Sequence, residues 1–225
     1  MRFLIAGGFF ALSGVYYGPA EDLAEYRGML ARLGNATEVT VEEVGWMESL
    51  EANANGQPLE MSGEYPYHDT FFAKSLMSPA LSADAIAAFV DYWFDQAADL
   101  PFTRNWYVIV DLYGGPTSAI GAVGRDATAY AHRAATLLKM QFYDRVFFGA
   151  YPDDGFGFLD GWVAAVVRAM PAARFGMYIN YADTSLSRRE AHEMYWGENY
   201  ERLARVKAVW DPEEVFTFPQ AVTPA

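Results

Sequence analysis

The sequence contains no cysteine, which excludes disulfide bonds, thiolate metal ligands, cysteine nucleophiles and any cysteinyl link to a cofactor. Its histidines are few, and His68, His132 and His192 are too widely spaced to suggest a metal-binding motif. No apolar run reaches the ~18 residues that a membrane-spanning helix needs. The sequence therefore indicates no metal site and no membrane span.

Basic residues are also scarce, since 16 Lys and Arg stand against 29 Asp and Glu and leave a formal net charge of −13. An acidic protein repels phosphate backbones and anionic membrane surfaces. We therefore expect neither a nucleic acid nor a membrane as a partner.

Apolar and aromatic residues are abundant. The 225 residues are 52% hydrophobic and 20% charged, which is typical of a packed globular domain. The aromatic content of 16% provides large flat side chains for a binding pocket as well as for the core.

The first residues allow two interpretations. An initial Met-Arg pair followed by the apolar run Phe3–Leu12 resembles the start of a secretory signal peptide. Gly7 and Gly8 interrupt that run, however, and no A-x-A cleavage pattern follows it. The favoured prediction is a buried strand over Phe9–Tyr17.

Hydrophobic periodicity and turn residues predict the remaining elements. The predicted helices are Ala20–Leu33, a segment capped by Ser82 that runs to about Ala98, Phe158–Met170 and Arg188–Val209. The predicted strands are Trp106–Leu112, Leu137–Phe148 and Arg174–Asn180. Helices alternate with strands that need not be parallel, so we predict an α+β fold with a sheet that carries helices on one face.

The glycines between Gly114 and Gly124 do not form a phosphate-binding loop. They lack the Lys-Ser/Thr ending, and their spacing is not G-x-G-x-x-G. A turn after a strand is the better interpretation. The chain also has no G-x-S-x-G elbow on which hydrolase chemistry of that kind would depend.

Two polar positions near strand ends attract attention. Strand alternation would place Tyr178 and Asn180 on one face and Tyr181 on the other, so that a phenol and an amide together could serve a flat polar ligand. Asp111 ends an apolar strand and needs a partner or solvent. Taken in isolation, both positions are explained more simply by a half-buried strand and by a turn-capping aspartate.

An ordered set of segments in the C-terminal part of the chain favours the functional interpretation of these positions. The segments are Met177–Asp183, Tyr195–Leu203, Val206-Lys207, Trp210–Pro212, Val215-Phe216 and Pro219–Val222. Together they resemble the C-terminal signature of the berberine bridge enzyme-like FAD-linked oxidoreductases, and among these the fungal glucooligosaccharide oxidases. The upstream segments Ser13–Gly18, Asp69–Leu76, Asp111–Gly115 and Ala129–Arg133 match the same family more loosely.

The resemblance implies FAD as the cofactor and roles for individual residues. Tyr178, the first tyrosine of the Tyr-x-Asn-Tyr motif, would be the base that takes the substrate hydroxyl proton, and Asp111 would be the carboxylate that supports it. Asn180 would contact the flavin, and Gln220 is a second cofactor-side candidate. The candidate substrate-binding residues are Tyr113, Gln141 and Tyr181.

The resemblance also implies a domain organisation. The fold would be the mainly antiparallel substrate domain of FAD-linked oxidases, with residues 1–175 forming part of that domain and residues 176–225 forming the berberine-like segment. Family members are about twice this length. Their other half, an FAD-binding domain with a His and often a Cys bonded to the flavin, is not in this sequence. The expected partners are a small-molecule substrate such as an oligosaccharide, and either an FAD-binding domain or a second copy of the chain.

Three functions are open at this point. The first is a part of an FAD-dependent oxidase that oxidises an alcohol or a sugar anomeric hydroxyl, with O2 as the acceptor. The second is a truncated or non-catalytic relative that needs a separate FAD-binding chain, and the third is a carbohydrate-binding module. An FAD-domain sequence upstream of Met1 would favour the first, and sugar binding without flavin would favour the third. The resemblance is compatible with an extracellular location.

Overall fold

The computed structural model describes residues 1–24, 28, 31–54, 59–60, 70–97, 100–101 and 103–225. The chain divides into two compact units, one formed by Met1–Ser13 with Asp69–Ala225 and the other by Gly14–His68. The predicted boundary between residues 175 and 176 stays a prediction, and residues on both sides of it belong to the larger unit.

The smaller unit contains little regular structure among its described residues. It has a 3-10 turn at Ala31–Leu33 and helix α1 at Trp46–Asn53. The helix predicted over Ala20–Leu33 depended in part on Tyr26 and Leu30, which lie outside the described residues.

The larger unit is built on a five-stranded sheet. Its strands are β1 (Arg2–Ala6), β2 (Phe9–Ser13), β3 (Thr70–Ser78), β4 (Arg104–Leu112) and β5 (Leu138–Val146). They lie in the order β2-β1-β4-β5-β3, and each neighbouring pair is antiparallel. The predicted α+β fold with a mainly antiparallel sheet is therefore confirmed.

Helices cover one face of this sheet. They are α2 (Ala83–Tyr92, continued by a π-helical turn at Trp93–Ala97) and α4 (Asp153–Arg168), and the short α3 (Ala119–Ala122) lies in the connection between β4 and β5. Ser82 caps α2 as predicted, because its hydroxyl accepts a hydrogen bond from the Ala85 amide at 3.1 Å. No described helix has the length and apolar character needed to traverse a lipid bilayer.

The core between helices and sheet is centred on Trp162 of α4. Its ring is fully buried and meets the rings of Phe89, Trp106 and Phe142 at centroid distances of 5.1, 5.5 and 5.9 Å. The indole N–H donates to the Phe89 carbonyl at 3.1 Å, so its one polar group is satisfied. The cluster lies on one face of β4 and β5, and polar side chains of these strands lie on the opposite face.

The predicted strand over Phe9–Tyr17 is shorter than expected and has a partner that was not foreseen. The strand ends at Ser13, and Arg2–Ala6 pairs with it as a hairpin. Gly7 makes the turn in the left-handed conformation at φ 55°, which glycine adopts without steric cost. The glycines that interrupt the apolar run therefore form the hairpin turn.

Strand β3 was not predicted, because its sequence TFFAKSLMS lacks a clean alternation of polar and apolar residues. The reason is that both of its faces are covered from Phe72 to Ser78. Leu76 enters the core under the helices, whereas Met77 exchanges two backbone hydrogen bonds with Gly176, at 2.8 and 3.0 Å. An edge strand that is buried on both faces loses the period of two that identifies strands in a sequence.

The strand predicted over Arg174–Asn180 is wrong. Pairing there is limited to the isolated bridge between Met77 and Gly176. The chain then turns, and the Tyr181 amide donates to the Tyr178 carbonyl at 2.9 Å. The alternation argument for Tyr178, Asn180 and Tyr181 therefore loses its basis, and their positions follow from a turn.

The long helix predicted over Arg188–Val209 is broken. Helix α5 (Arg188–Trp196) and helix α6 (Tyr200–Trp210) are separated by a 3-10 turn at Gly197–Asn199. Gly197 has φ 48°, a left-handed conformation that ends α5. Trp210, at the end of α6, is 83% exposed, and self-association through this region stays a prediction.

We predict that Gly114→Ala destabilises the fold. A Cβ at this position would lie 1.9 Å from the Thr136 carbonyl oxygen, so the backbone itself would have to move. We expect a loss of about 1–3 kcal/mol in the free energy of unfolding, measured by urea denaturation. Gly8→Ala is the matched control, because a Cβ there meets no atom within 4 Å and should change stability by roughly 0.5 kcal/mol or less. Equal effects of the two variants would contradict this account.

Candidate functional site

A row of charged side chains crosses the open face of the sheet. Cross-strand pairing places Asp111 of β4 opposite both Arg2 of β1 and Lys139 of β5. An Asp111 carboxylate oxygen lies 2.7 Å from Arg2 Nε, and the other lies 3.0 Å from Lys139 Nζ. Burial alone would raise the pKa of Asp111, but the hydrogen bonds from Arg2 and Lys139 outweigh it and hold this pKa below its usual value. Asp111 is therefore an ionised carboxylate between two cations.

Lys139 connects this carboxylate to the tyrosines of the Tyr-x-Asn-Tyr motif. Its side chain is 19% exposed, and Nζ lies 5.4 Å from the ring centroid of Tyr178 and 6.0 Å from that of Tyr181. These distances are in the range of cation–π contacts. The link that the structure provides from Asp111 to Tyr178 runs through the lysine.

Tyr178 and Asn180 are in direct contact. The Asn180 side-chain amide donates a hydrogen bond to the Tyr178 phenol oxygen at 2.8 Å, while Asn180 itself is exposed. The backbone of Tyr178 is fixed from the other side, since its amide donates to the Ser75 hydroxyl at 2.8 Å. The sequence prediction that Tyr178 and Asn180 lie together agrees with this contact, although the turn and not a strand produces it.

Tyr181 does not point away from the other two residues. Its ring lies 5.3 Å from that of Tyr178 in an edge-to-face arrangement, and both rings neighbour Lys139. The prediction that Tyr181 faces the opposite side was wrong, because a turn does not alternate its side chains as a strand does.

A cleft of about 220 Å³ opens beside these residues. It is lined by Tyr113, Tyr130, Lys139 and Tyr178. The Tyr130 ring meets the rings of Tyr113 and Tyr178 edge to face, each at 6.1 Å. Burial raises the pKa of Tyr130, and the neighbouring Tyr113 hydroxyl raises it further, so this phenol stays protonated. The cleft is thus a small aromatic site with a lysine at one side.

Gln141 lies two residues from Lys139 on the same face of β5, about 7 Å along the strand. Its side-chain amide donates to the Tyr107 hydroxyl at 3.4 Å. Tyr107 in turn stacks on Tyr143 at 4.7 Å, and Tyr143 also stacks with Phe71 at 5.1 Å. Gln141 therefore lies next to Lys139 of the charged row and bonds Tyr107, which is one of three stacked rings on this face of the sheet.

Gln220 has a different environment. It is buried, and its amide donates to the carbonyls of Asp183 at 2.7 Å and Leu186 at 3.1 Å. Its side-chain carbonyl accepts from the Tyr195 hydroxyl at 3.2 Å. The side chain is engaged by the protein on both ends, and its cofactor-binding role stays a prediction without a contact to support it.

Two residues of this site were missed in the sequence, Lys139 and Tyr130. Lys139 could have been found from its place in an apolar strand opposite the strand of Asp111, since a cation there needs a carboxylate. Tyr130 lies in an irregular connection with no periodicity, and only the fold brings it to Tyr178. No cluster of His, Asp or Glu that could hold a metal ion occurs among the residues that the structure describes.

The chain is similar to a known protein family and to curated proteins of that family. Residues 177–223 match the family model "Berberine and berberine like". The chain is 42% identical to xylooligosaccharide oxidase of Thermothelomyces thermophilus over 217 residues, which are 95% of this chain and 43% of that protein. The resemblance to the berberine bridge enzyme-like FAD-linked oxidoreductases is therefore confirmed.

Solved structures agree with this relation. The chain is similar to xylooligosaccharide oxidase from Myceliophthora thermophila C1 in complex with xylobiose, with a TM-score of 0.89 and 41% identity over 100% of this chain and 48% of that one. It is also similar to glucooligosaccharide oxidase from Acremonium strictum, which carries a 6-S-cysteinyl, 8α-N1-histidyl FAD, with a TM-score of 0.88, 37% identity and the same two coverages. The chain spans less than half the length of the relatives it matches.

We predict that Asp111 stabilises the fold only where it is ionised. A carboxyl group whose pKa is lower in the folded chain contributes stability above its unfolded-state pKa and loses it as the pH falls through the folded-state pKa. Asp111→Asn should therefore cost roughly 1–3 kcal/mol near neutral pH, the range for hydrogen bonds to charged groups. The difference from the unmodified chain should vanish as the pH falls below the ordinary aspartate range.

The measurement is urea unfolding of both proteins at a series of pH values. Asp154→Asn serves as the control, because that carboxylate is 80% exposed and lies 3.4 Å from Arg104, so its pair should contribute about 0–1 kcal/mol. A constant difference for Asp111→Asn across the acid range would show that the ionised carboxylate is not the stabilising group.

Proposed function

We propose that this chain, which carries a berberine-like segment in residues 177–223, is the substrate-side part of an FAD-dependent oxidase that acts on the anomeric hydroxyl of an oligosaccharide. The observation that carries the proposal is the phenol of Tyr178, which accepts a hydrogen bond from Asn180 and lies beside Lys139 at the cleft. A phenol in contact with a hydrogen-bond donor and a cation is suited to holding a negative charge and accepting a proton.

The residues present fit one wall of a flavin site. Asn180 is exposed next to Tyr178, so its amide is available to a planar cofactor with polar edges. The aromatic cleft is too small and too open to enclose such a group, and the covering wall would come from a flavin-binding half. When bound, FAD would supply the redox chemistry, as a hydride acceptor that O2 reoxidises.

The protein's own contribution is the removal of the substrate hydroxyl proton. Tyr178 accepts that proton at its phenol oxygen, and Asn180 orients this oxygen through their hydrogen bond. This step requires an ionised Tyr178 phenol, and Lys139, whose Nζ lies 5.4 Å from the ring centroid, would favour that negative charge. Geometry supports Tyr178 before Tyr181, because Asn180 bonds the phenol of Tyr178.

Asp111 acts on this step through Lys139. The carboxylate holds the ammonium group at 3.0 Å and fixes its position over the tyrosine rings. In this arrangement Asp111 is a positioning residue, whereas the direct support of Tyr178 that the resemblance implied is replaced by the lysine. Arg2, bonded to the same carboxylate, prevents it from turning away.

Two observations support an oligosaccharide as the substrate class, the names of the relatives and the side chains at the site. The relatives are named for xylooligosaccharides and glucooligosaccharides. Tyr113, Gln141 and Tyr181 offer hydroxyl and amide groups among aromatic rings, which is the mixture that sugar rings require. We therefore expect an oligosaccharide substrate.

Activity requires a flavin-binding half, on the same polypeptide or on a separate one, because the chain spans only 43% of its relative. Large apolar side chains at the C-terminal end support a further contact surface, since Trp210 is 83% and Phe216 81% exposed. At roughly 25 cal/mol per Å² of apolar area, covering them would stabilise an assembly.

The 225-residue chain alone should not retain FAD, because it offers one wall of the site. The measurement is the flavin absorbance of the purified chain after incubation with FAD and dialysis, with FAD dialysed without protein as the blank. A stoichiometric yellow protein would overturn this expectation and with it the need for a second half.

Tyr178→Phe should slow the chemistry and spare cofactor binding once the chain is joined to a flavin-binding half. The substitution keeps the ring and removes only the phenol oxygen. We expect flavin reduction to slow by about 10²–10⁴-fold, the usual range for a lost general base. The measurement is anaerobic stopped-flow absorbance with cellobiose as the substrate.

Tyr181→Phe is the matched comparison, because it removes a neighbouring phenol that Asn180 does not bond. It should slow the same step much less. Should Tyr181→Phe be the impaired variant and Tyr178→Phe remain near normal, the base would be Tyr181. Sugar binding by a chain that forms no flavin complex with any partner half would instead favour a carbohydrate-binding module.

A further inference from the structure

A buried ion pair lies behind the turn that carries Tyr178 and Asn180. Lys74 of β3 is 7% exposed, Asp183 is fully buried, and the two side chains form a salt bridge. A second carboxylate, Asp160 of α4, lies 2.6 Å from the Lys74 ammonium and is 45% exposed. Neither Lys74 nor Asp183 has a part in the proton transfer proposed above, so their burial needs another explanation.

Asp183 is held at every polar atom. Its second carboxylate oxygen accepts from the Ser185 amide at 2.9 Å and from the Ser185 hydroxyl at 2.6 Å. Its backbone amide donates to the Tyr195 hydroxyl at 2.8 Å, and its carbonyl accepts from Gln220 at 2.7 Å. The residue is thereby fixed to β3, to α5 and to the C-terminal end of the chain at once.

The two ends of the turn are held on opposite faces of the same strand. Ser75 and Lys74 are consecutive in β3, so their side chains point to opposite faces of the sheet. Tyr178 is bonded to Ser75 and Asp183 to Lys74. The turn between them therefore passes around the edge of β3 and is anchored at both ends.

We propose that Asp183, through its buried pair with Lys74, is the positioning residue that sets the place of Tyr178 and Asn180 at the candidate site. This inference rests on the proposed function for its catalytic consequence, but its structural content concerns the turn alone. Gln220 belongs to the same arrangement, since it fixes the Asp183 carbonyl and makes the terminal segment part of the support.

Asp183→Asn is the sharpest test, because it keeps the size of the side chain and removes its charge. The cation is not left alone in the interior, since Lys74 retains Asp160 at 2.6 Å. In the 225-residue chain we expect the ring signals of Tyr178 and the side-chain amide signals of Asn180 to move in NMR spectra, while signals from the β4 core residues Trp106 and Val108 stay in place. In the protein joined to a flavin-binding half we expect kcat to fall about 10²-fold with little change in KM, the cost of a misplaced reacting group.

Asp160→Asn is the matched control, since it removes a carboxylate from the same lysine on the helix side of the sheet. It should leave the Tyr178 and Asn180 signals and kcat unchanged. The proposal is overturned if Asp183→Asn leaves those signals in place, or if Asp160→Asn moves them equally.

A second variant covers the case in which Asp183→Asn does not fold. Ser185→Ala removes the hydroxyl hydrogen bond to the Asp183 carboxylate and leaves both the Ser185 amide hydrogen bond and the ion pair intact. It should move the same signals by a smaller amount, and unmoved signals in a folded Ser185→Ala chain would reject the proposal. Moved signals in Asp183→Asn with an unchanged kcat would uphold the positioning and reject Tyr178 as the base, so the two failures can be told apart.

Discussion

The arrangement of the site depends on how the outer edge of strand β3 is covered. An edge strand presents unpaired backbone groups, and proteins cover such edges or make them short and charged. Here the C-terminal part of the chain provides the cover, first through the backbone bridge between Met77 and Gly176 and then through Ser75 and Lys74. The segment that protects the edge is the same segment that carries Tyr178, so stability of the sheet and geometry of the site have one cause.

The arrangement of the site also depends on the register of strands β1, β4 and β5. Antiparallel pairing places Arg2, Asp111 and Lys139 in one row, and a shift of a single residue would send each side chain to the helix-covered face. Burial of Trp106 and Met140 in the core opposes such a shift, because both would leave it. The apolar packing on one face of the sheet thereby fixes the polar row on the other.

The sequence correctly predicts the parts of the structure that local patterns determine. The Ser82 cap and strands β4 and β5 follow from signals within a few residues, and the C-terminal motif identified Tyr178 and Asn180. It failed where partners are distant in sequence. Strand β3 has no period of two because segments far along the chain cover both faces, and the turn at Tyr178–Tyr181 was read as a strand because its own residues favour one.

Lys139 shows why the site could not be completed from the motif. Asp111 and Tyr178 were paired through the resemblance, yet between them stands an ammonium group 3.0 Å from the carboxylate and 5.4 Å from the ring centroid. A carboxylate placed directly against a phenol that must lose its proton would repel the negative charge that results, whereas a lysine held by that carboxylate attracts it. In the proposed reaction the intervening cation would let Asp111 support proton removal without opposing it. This arrangement requires the cross-strand pair of Asp111 and Lys139, which is a property of the sheet and not of either sequence segment.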